Sequence, residues 1–182
     1  MKKDSSPGFT FIEMIVVVVI LSTVAAISIH FLVNSLRTYS MTVNQKALLD
    51  EGKLALERMV REARDARTIL FPPPGSSGNR MTLVRTHATA HDSGNENISF
   101  QLTGSTLVKV KTQPPVASAM AANVSVFNVT REAANDEIKI ELALSLSTGE
   151  NVALQTKVYP KNLGDSPGYK NFGANWLEEQ SL

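Results

Sequence analysis

Twenty consecutive positions, Met14 to Val33, contain no Asp, Glu, Lys or Arg. As a helix rising ~1.5 Å per residue, such a run spans the ~30 Å hydrocarbon core of a bilayer. Thirteen of the twenty are Val, Ile, Leu or Phe, which together favour insertion by about 4 to 8 kcal/mol. The stretch Val16 to Ile20 would suit a strand in water. A lone strand in lipid leaves its backbone groups unpaired, so the segment must be helical. Its polar members are Ser22, Thr23, Ser28 and His30. Lys2 and Lys3 precede the run and place its start on the cytoplasmic side, with Arg37 beyond the run as a weaker opposing signal. The remainder of the chain is then exported.

The junction leading into this run is Gly8-Phe9-Thr10-Phe11-Ile12-Glu13. A short polar leader ends in glycine, the apolar run opens on phenylalanine, and one carboxylate follows within it. This pattern resembles the N-terminus of type IV prepilins and pseudopilins, from Gly8 to about Val33. The resemblance implies cleavage after Gly8 by a membrane-embedded prepilin peptidase and methylation of the new N-terminus at Phe9. It also implies that Glu13 meets a charged N-terminus inside an assembled filament. Other readings fit less well. A secretory signal peptide has an apolar core of only ~7–15 residues and is cut beyond it, whereas the small pair Ala25-Ala26 lies inside this span. A plain single-pass anchor leaves Glu13 without a purpose, at up to ~2.5–3.5 kcal/mol if it reached mid-membrane. A lipoprotein is excluded because there is no cysteine to acylate.

The 182 residues leave room for one modest domain besides the span. Eighteen Lys and Arg against seventeen Asp and Glu argue against a general polyanion binder. No cysteine means no disulfide and no thiolate metal site, which suits either side of a bacterial inner membrane.

Between Pro7 and Pro72 there is no proline. Leu48, Gly52, Ala55, Leu56, Met59, Ala63, Ala66 and Leu70 recur at helical steps and predict one buried stripe, so a helix is expected from about Phe9 to Leu70. Glu57 with Arg61, Arg58 with Glu62, and Arg61 with Asp65 stand i, i+4 on its other side. Arg58, Arg61, Arg64 and Arg67 would form a ridge able to meet phosphates. Acidic neighbours balance it and no aromatics are interleaved for base stacking, which argues against nucleic acid. The long two-part helix again resembles a pilin's. His30 departs from the family where major pilins carry a helix-kinking proline, which points to a minor subunit.

Phe71-Pro72-Pro73-Pro74-Gly75-Ser76-Ser77-Gly78 ends the helical stretch. Strands are predicted at Met81–Thr86, at Asn97–Leu102 and Thr106–Lys111 as a hairpin across Thr103-Gly104-Ser105, and at Val124–Val129, the last bulged at Phe127. A hairpin follows, with Ile138, Ile140, Leu142, Leu144 and Leu146 on one face, a turn at 147–150, then Val152, Leu154 and Val158. Alternation implies one wet face and one that packs on the helical stripe. The close Val158-Tyr159-Pro160-Lys161-Asn162-Leu163 is similar to that of J-type minor pseudopilins and W-type minor pilins. Beyond it, 164–182 reads as a loose tail with Tyr169, Phe172 and Trp176 dispersed.

Signals for chemistry are thin. His87 and His91 stand four apart but in a loop, and further zinc ligands cannot be named. Asp92, Asn95 and Glu96 offer oxygens to calcium without the spacing of an EF-hand. No G-x-S-x-G elbow is present. The expectation is an α+β, pilin-like chain, its long N-terminal helix packed by its second half on one antiparallel β-sheet, without cofactor, resident metal or enzymatic activity. Its parts are a leader (1–8), a transmembrane helix (9–36), an amphipathic continuation (37–71), an antiparallel β domain (72–163) and a tail (164–182). Its expected role is that of a minor pilin or pseudopilin of a type IV pilus or type II secretion pseudopilus. Partners would be like subunits, prepilin peptidase and the inner membrane, with the domain in the periplasm. The competing class is a membrane-anchored exported binding or sensor domain that never polymerises.

Overall fold

The computed structural model describes residues 9–88 and 93–163. One helix, α1 (Phe11–Arg64), is followed by nine strands: β1 (Ala66–Phe71), β2 (Ser76–Gly78), β3 (Arg80–Arg85), β4 (Asn97–Thr103), β5 (Thr106–Thr112), β6 (Pro115–Ala121), β7 (Val124–Arg131), β8 (Ile138–Ser145) and β9 (Asn151–Val158). The chain divides into two compact units, one ending at Val43 and one beginning at Asn44. In the first, the helical residues are exposed throughout.

In the second unit the strands form two antiparallel sheets, ordered β1-β3-β4-β5-β6 and β2-β7-β8-β9. Their inner faces share one core with the stripe Leu48, Ala55, Leu56, Met59 and Ala63 of α1. Met81, Leu83, Ile98, Phe100 and Leu107 come from the five-stranded sheet, and Phe127, Val129, Ile138, Ile140, Leu142 and Leu144 from the four-stranded one. Gly52 sits where helix and sheet come closest. A Cβ there would stand 2.7 Å from Leu154 Cδ1 and 2.9 Å from Leu144 Cδ1. Glycine at this point, poor as a helix former, permits the approach.

Both predicted hairpins form. β4 pairs with β5 across Gly104 (φ 62°), and β8 pairs with β9 across a turn containing Gly149 (φ 104°). Along β8 the residues alternate strictly between buried and half-buried, as the sequence pattern required.

Four expectations are corrected. The helix ends at Arg64, not near Leu70, and residues 66–71 of the expected amphipathic continuation are strand β1. Ala66 and Ile69 are still buried, but Leu70 is half exposed. The Thr68-Ile69-Leu70-Phe71 stretch pairs with β3, a tertiary partner that outweighs a helical repeat of one more turn. The irregularity in β7 falls between Val124 and Val126, not at Phe127, and it lets Val124 and Phe127 both face inward despite an odd spacing. A single sheet was expected where two form, because β2 and β6 went unread: β2 has three residues, and β6 is an Ala/Ser-rich strand exposed over most of its length. Finally, Glu62 and Asp65 do not pair with Arg58 and Arg61 among the described residues. They turn to Lys109 (2.8 Å) and Arg85 (4.0 Å).

A fragment beginning at Arg37 should fold without the apolar span, giving a mixed helix and sheet circular dichroism spectrum. Leu142→Asp should unfold it, because an unpaired buried carboxylate costs several kcal/mol against a total stability of about 5–15 kcal/mol. Glu141→Lys, on the outer face of the same strand, should leave the spectrum unchanged.

Candidate processing and assembly site

Gly8 and the leader lie outside the described residues, as do His91, Asp92 and the tail with Tyr169, Phe172 and Trp176. Phe9 is exposed at the point where the helix begins. Next to it, Thr10 and Glu13 close a reciprocal cap. The Glu13 N–H donates to Thr10 Oγ1 (3.4 Å), and Glu13 Oε2 accepts from the Thr10 N–H (3.4 Å) and hydroxyl (3.5 Å). This is the capping box that a Thr-x-x-Glu spacing encodes. The role of Thr10 was missed in the sequence, though Thr10-Phe11-Ile12-Glu13 carried the signal. The carboxylate also sits in the first turn of the helix, at the positive end of its dipole.

Further along, the hydroxyls of Ser22, Thr23 and Ser28 donate to carbonyls three or four residues back, at 2.8–3.1 Å. No unsatisfied hydroxyl is therefore offered to lipid at these positions. His30 Nε2 bonds the Asn34 side-chain amide at 3.0 Å. The side chains of the apolar run are exposed, and no part of its most hydrophobic window is buried. A surface of this kind needs lipid or like helices around it.

Residues 4–29 match the prokaryotic N-terminal methylation motif. The match supports a likeness to type IV prepilins and pseudopilins over this N-terminal stretch. No curated protein and no solved structure matches it. The motif covers the polar-to-apolar junction and most of the span, so the pilin-like fold of one long helix followed by antiparallel sheets is an independent observation. Together with the apolar helix it fits a membrane-anchored, single-pass protein, and the motif points to a structural subunit, not an enzyme.

The residues that follow β9 are tied to the end of α1. The Lys161 N–H donates to the Arg64 carbonyl (2.9 Å), capping the end of α1. Asn162, fully buried, donates to Asp65 Oδ1 (3.0 Å), which also meets His87 Nδ1 (3.3 Å), and Thr86 Oγ1 donates to the Asp65 carbonyl (2.8 Å). His87 is thus engaged structurally. Glu96 accepts the Ser93 and Gln113 N–H groups, and Asn95 Oδ1 accepts from Arg67. Among the described residues there is no cluster of three His, Asp or Glu side chains placed to hold a metal. The four-arginine ridge is also broken, since Arg67 lies on β1 and not on α1.

At the end of β9, Glu137 receives Lys157 Nζ (2.5 Å) and the Tyr159 hydroxyl. The Lys157 bond, then the Tyr159 bond, holds the Glu137 carboxyl below the usual carboxylate range, and Glu137 in turn raises Lys157 and Tyr159. A carboxyl depressed on folding stabilises the fold above its unfolded pKa, and that contribution is lost as pH falls through the folded value. Glu141 and Glu150 are depressed too, by Lys139 and Thr148 first. Denaturant midpoints of the Arg37 fragment should therefore fall as pH drops below about 4.5. Glu137→Gln should shallow that acid limb without removing it, and an unchanged limb would show that the Glu137 pairing does not contribute.

Proposed function

We propose that the chain is a minor pilin or pseudopilin of a type IV pilus or type II secretion pseudopilus. Prepilin peptidase cuts it between Gly8 and Phe9 and methylates Phe9, and the subunit waits in the inner membrane with its N-terminus cytoplasmic and its β domain periplasmic. The observation that carries this reading is the methylation motif running directly into a helix whose apolar side chains have no cover of their own. His30, in place of a kinking proline, and the Tyr159–Leu163 close support a minor subunit of the J or W type.

In assembly the helix leaves lipid for a bundle of similar helices. Lipid tails are as apolar as leucine, so packing and polar pairing, not the hydrophobic effect, drive the exchange. Glu13 supplies register. Its carboxylate meets the amine of a neighbouring processed subunit, and a misplaced neighbour leaves one buried charge alone at a cost of several kcal/mol.

Protein from a host with prepilin peptidase should start at N-methylated Phe9 by mass spectrometry, and Gly8→Ala should slow cleavage. An intact Met1 in such a host would return the plain membrane anchor to first place.

Glu13→Gln separates charge from capping, because glutamine also closes the box with Thr10. It should insert normally yet co-purify with sheared filaments at least about tenfold less than the parent, the lost charge pair being worth more than ~1.4 kcal/mol. Normal recovery would leave Glu13 as a helix cap alone.

A further inference from the structure

One group of polar side chains takes no part in the networks described above. Asn79 is the single residue between β2 and β3, where the chain passes from the four-stranded sheet to the five-stranded one. Arg80 follows it and stands directly opposite Gln101 of β4. With Phe71 and Leu102, these three line a pocket of about 210 Å³. Among the described residues, the side chains of Asn79, Arg80 and Gln101 have no hydrogen-bond or ion-pair partner.

Arg80 is nevertheless held in place. Its guanidinium carbon lies 4.8 Å from the centroid of the Phe71 ring, a cation–π contact. The ring is itself confined by Gly78, where a Cβ would overlap it. Just beyond the ring, Ser76 donates through its N–H (3.1 Å) and its hydroxyl (2.7 Å) to the Pro73 carbonyl, which sets the turn. Stacking uses the face of the guanidinium and leaves its edge, with the forked N–H donors, open to a ligand. The side chain is ordered before anything binds, which removes a cost that a loose surface arginine meets on binding.

We propose that this pocket binds a carboxylate carried on a short aliphatic arm. None of its lining residues is acidic, so the Arg80 charge has no counter-charge there. A carboxylate matches the planar fork with two parallel hydrogen bonds. The Asn79 and Gln101 amides supply further donors, and Phe71 and Leu102 offer apolar surface to the arm. A volume below the roughly 300–1,000 Å³ of sites for drug-sized ligands suits one such group and is too small for a nucleotide or an oligosaccharide. One positive charge also matches the single charge of a carboxylate better than the larger charge of a phosphate.

Two sources offer this chemistry, a free dicarboxylic acid and a glutamate side chain of another protein, and the test separates them. Full-length protein in a nonionic detergent is treated with phenylglyoxal, which modifies guanidinium groups, and initial rates at each arginine are read by peptide mass spectrometry. Arg58, exposed on α1, is the reference. The probes are glutarate and a capped tripeptide with a central glutamate, each compared with sodium chloride of equal ionic strength. At about 10 mM probe, a site of about 1 mM affinity should slow modification of Arg80 about tenfold by mass action and leave Arg58 unchanged. Protection by both probes, or by one alone, supports the proposal and names the source. Gln101→Glu, at a half-buried position, should abolish probe-dependent protection, because the introduced carboxylate occupies the guanidinium. Protection of Arg80 no greater than that of Arg58 would overturn the proposal, and so would protection that survives Gln101→Glu.

Discussion

A backbone in lipid must satisfy its own hydrogen bonds, and everything else in this chain follows from meeting that demand with one helix. From Met14 to Val33 the helix is apolar on every side, as a lipid-facing segment must be. From Leu48 to Ala63 the apolar residues contract to one stripe, and a single stripe in water needs a cover. Two antiparallel sheets supply it. Their alternating strands bring Leu144 and Leu154 so close to the helix that position 52 has no room for a side chain without displacing them.

The end of the helix is decided by long-range ties. Asp65 is the first residue beyond α1, and its partners come from β3 and its following residues and from the close of the chain: Arg85, Thr86, His87 and Asn162. Lys161 caps Arg64 through its backbone. Glu62, one turn earlier, is drawn in by Lys109. A network of this kind adds specificity more than net stability, because desolvating charges offsets most of their attraction. Here it specifies where helix stops and strand begins. It also accounts for the residues from Tyr159 to Leu163: Tyr159 holds Glu137, Lys161 and Asn162 hold the helix end, and Leu163 joins the core.

At the other end of the helix a single carboxylate closes the cap and, in the proposed assembly, would take a second task. In the free chain Glu13 closes a cap with Thr10, which gives a charged group a partner close to lipid. Within the bundle proposed above, an amine from a neighbour would offer the same oxygens a stronger, charge-assisted bond. The cap is weak enough to yield, with contacts of 3.4–3.5 Å.

Much of this was legible in the residues themselves. Twenty uncharged positions dictate a membrane helix, since no other secondary structure survives in lipid. Gly8, Phe9 and Glu13 stand out because each sits where composition changes abruptly, and Thr10 was legible too, as half of a capping box. Strict alternation marked β8 and β9, where one face is buried and the other wet. What lacked a local signature was β6, exposed on both faces and so without alternation, and β2, too short to have a period. The boundary at Arg64 had no local signature either. Ala66 and Leu70 continue a helical repeat as well as any residues before them, and only the pairing of Thr68 to Phe71 with β3, together with the hold of Asn162 on Asp65, makes strand the lower-energy choice. Periodicity reports what a segment buries; which partner arrives to cover it is a property of the whole fold.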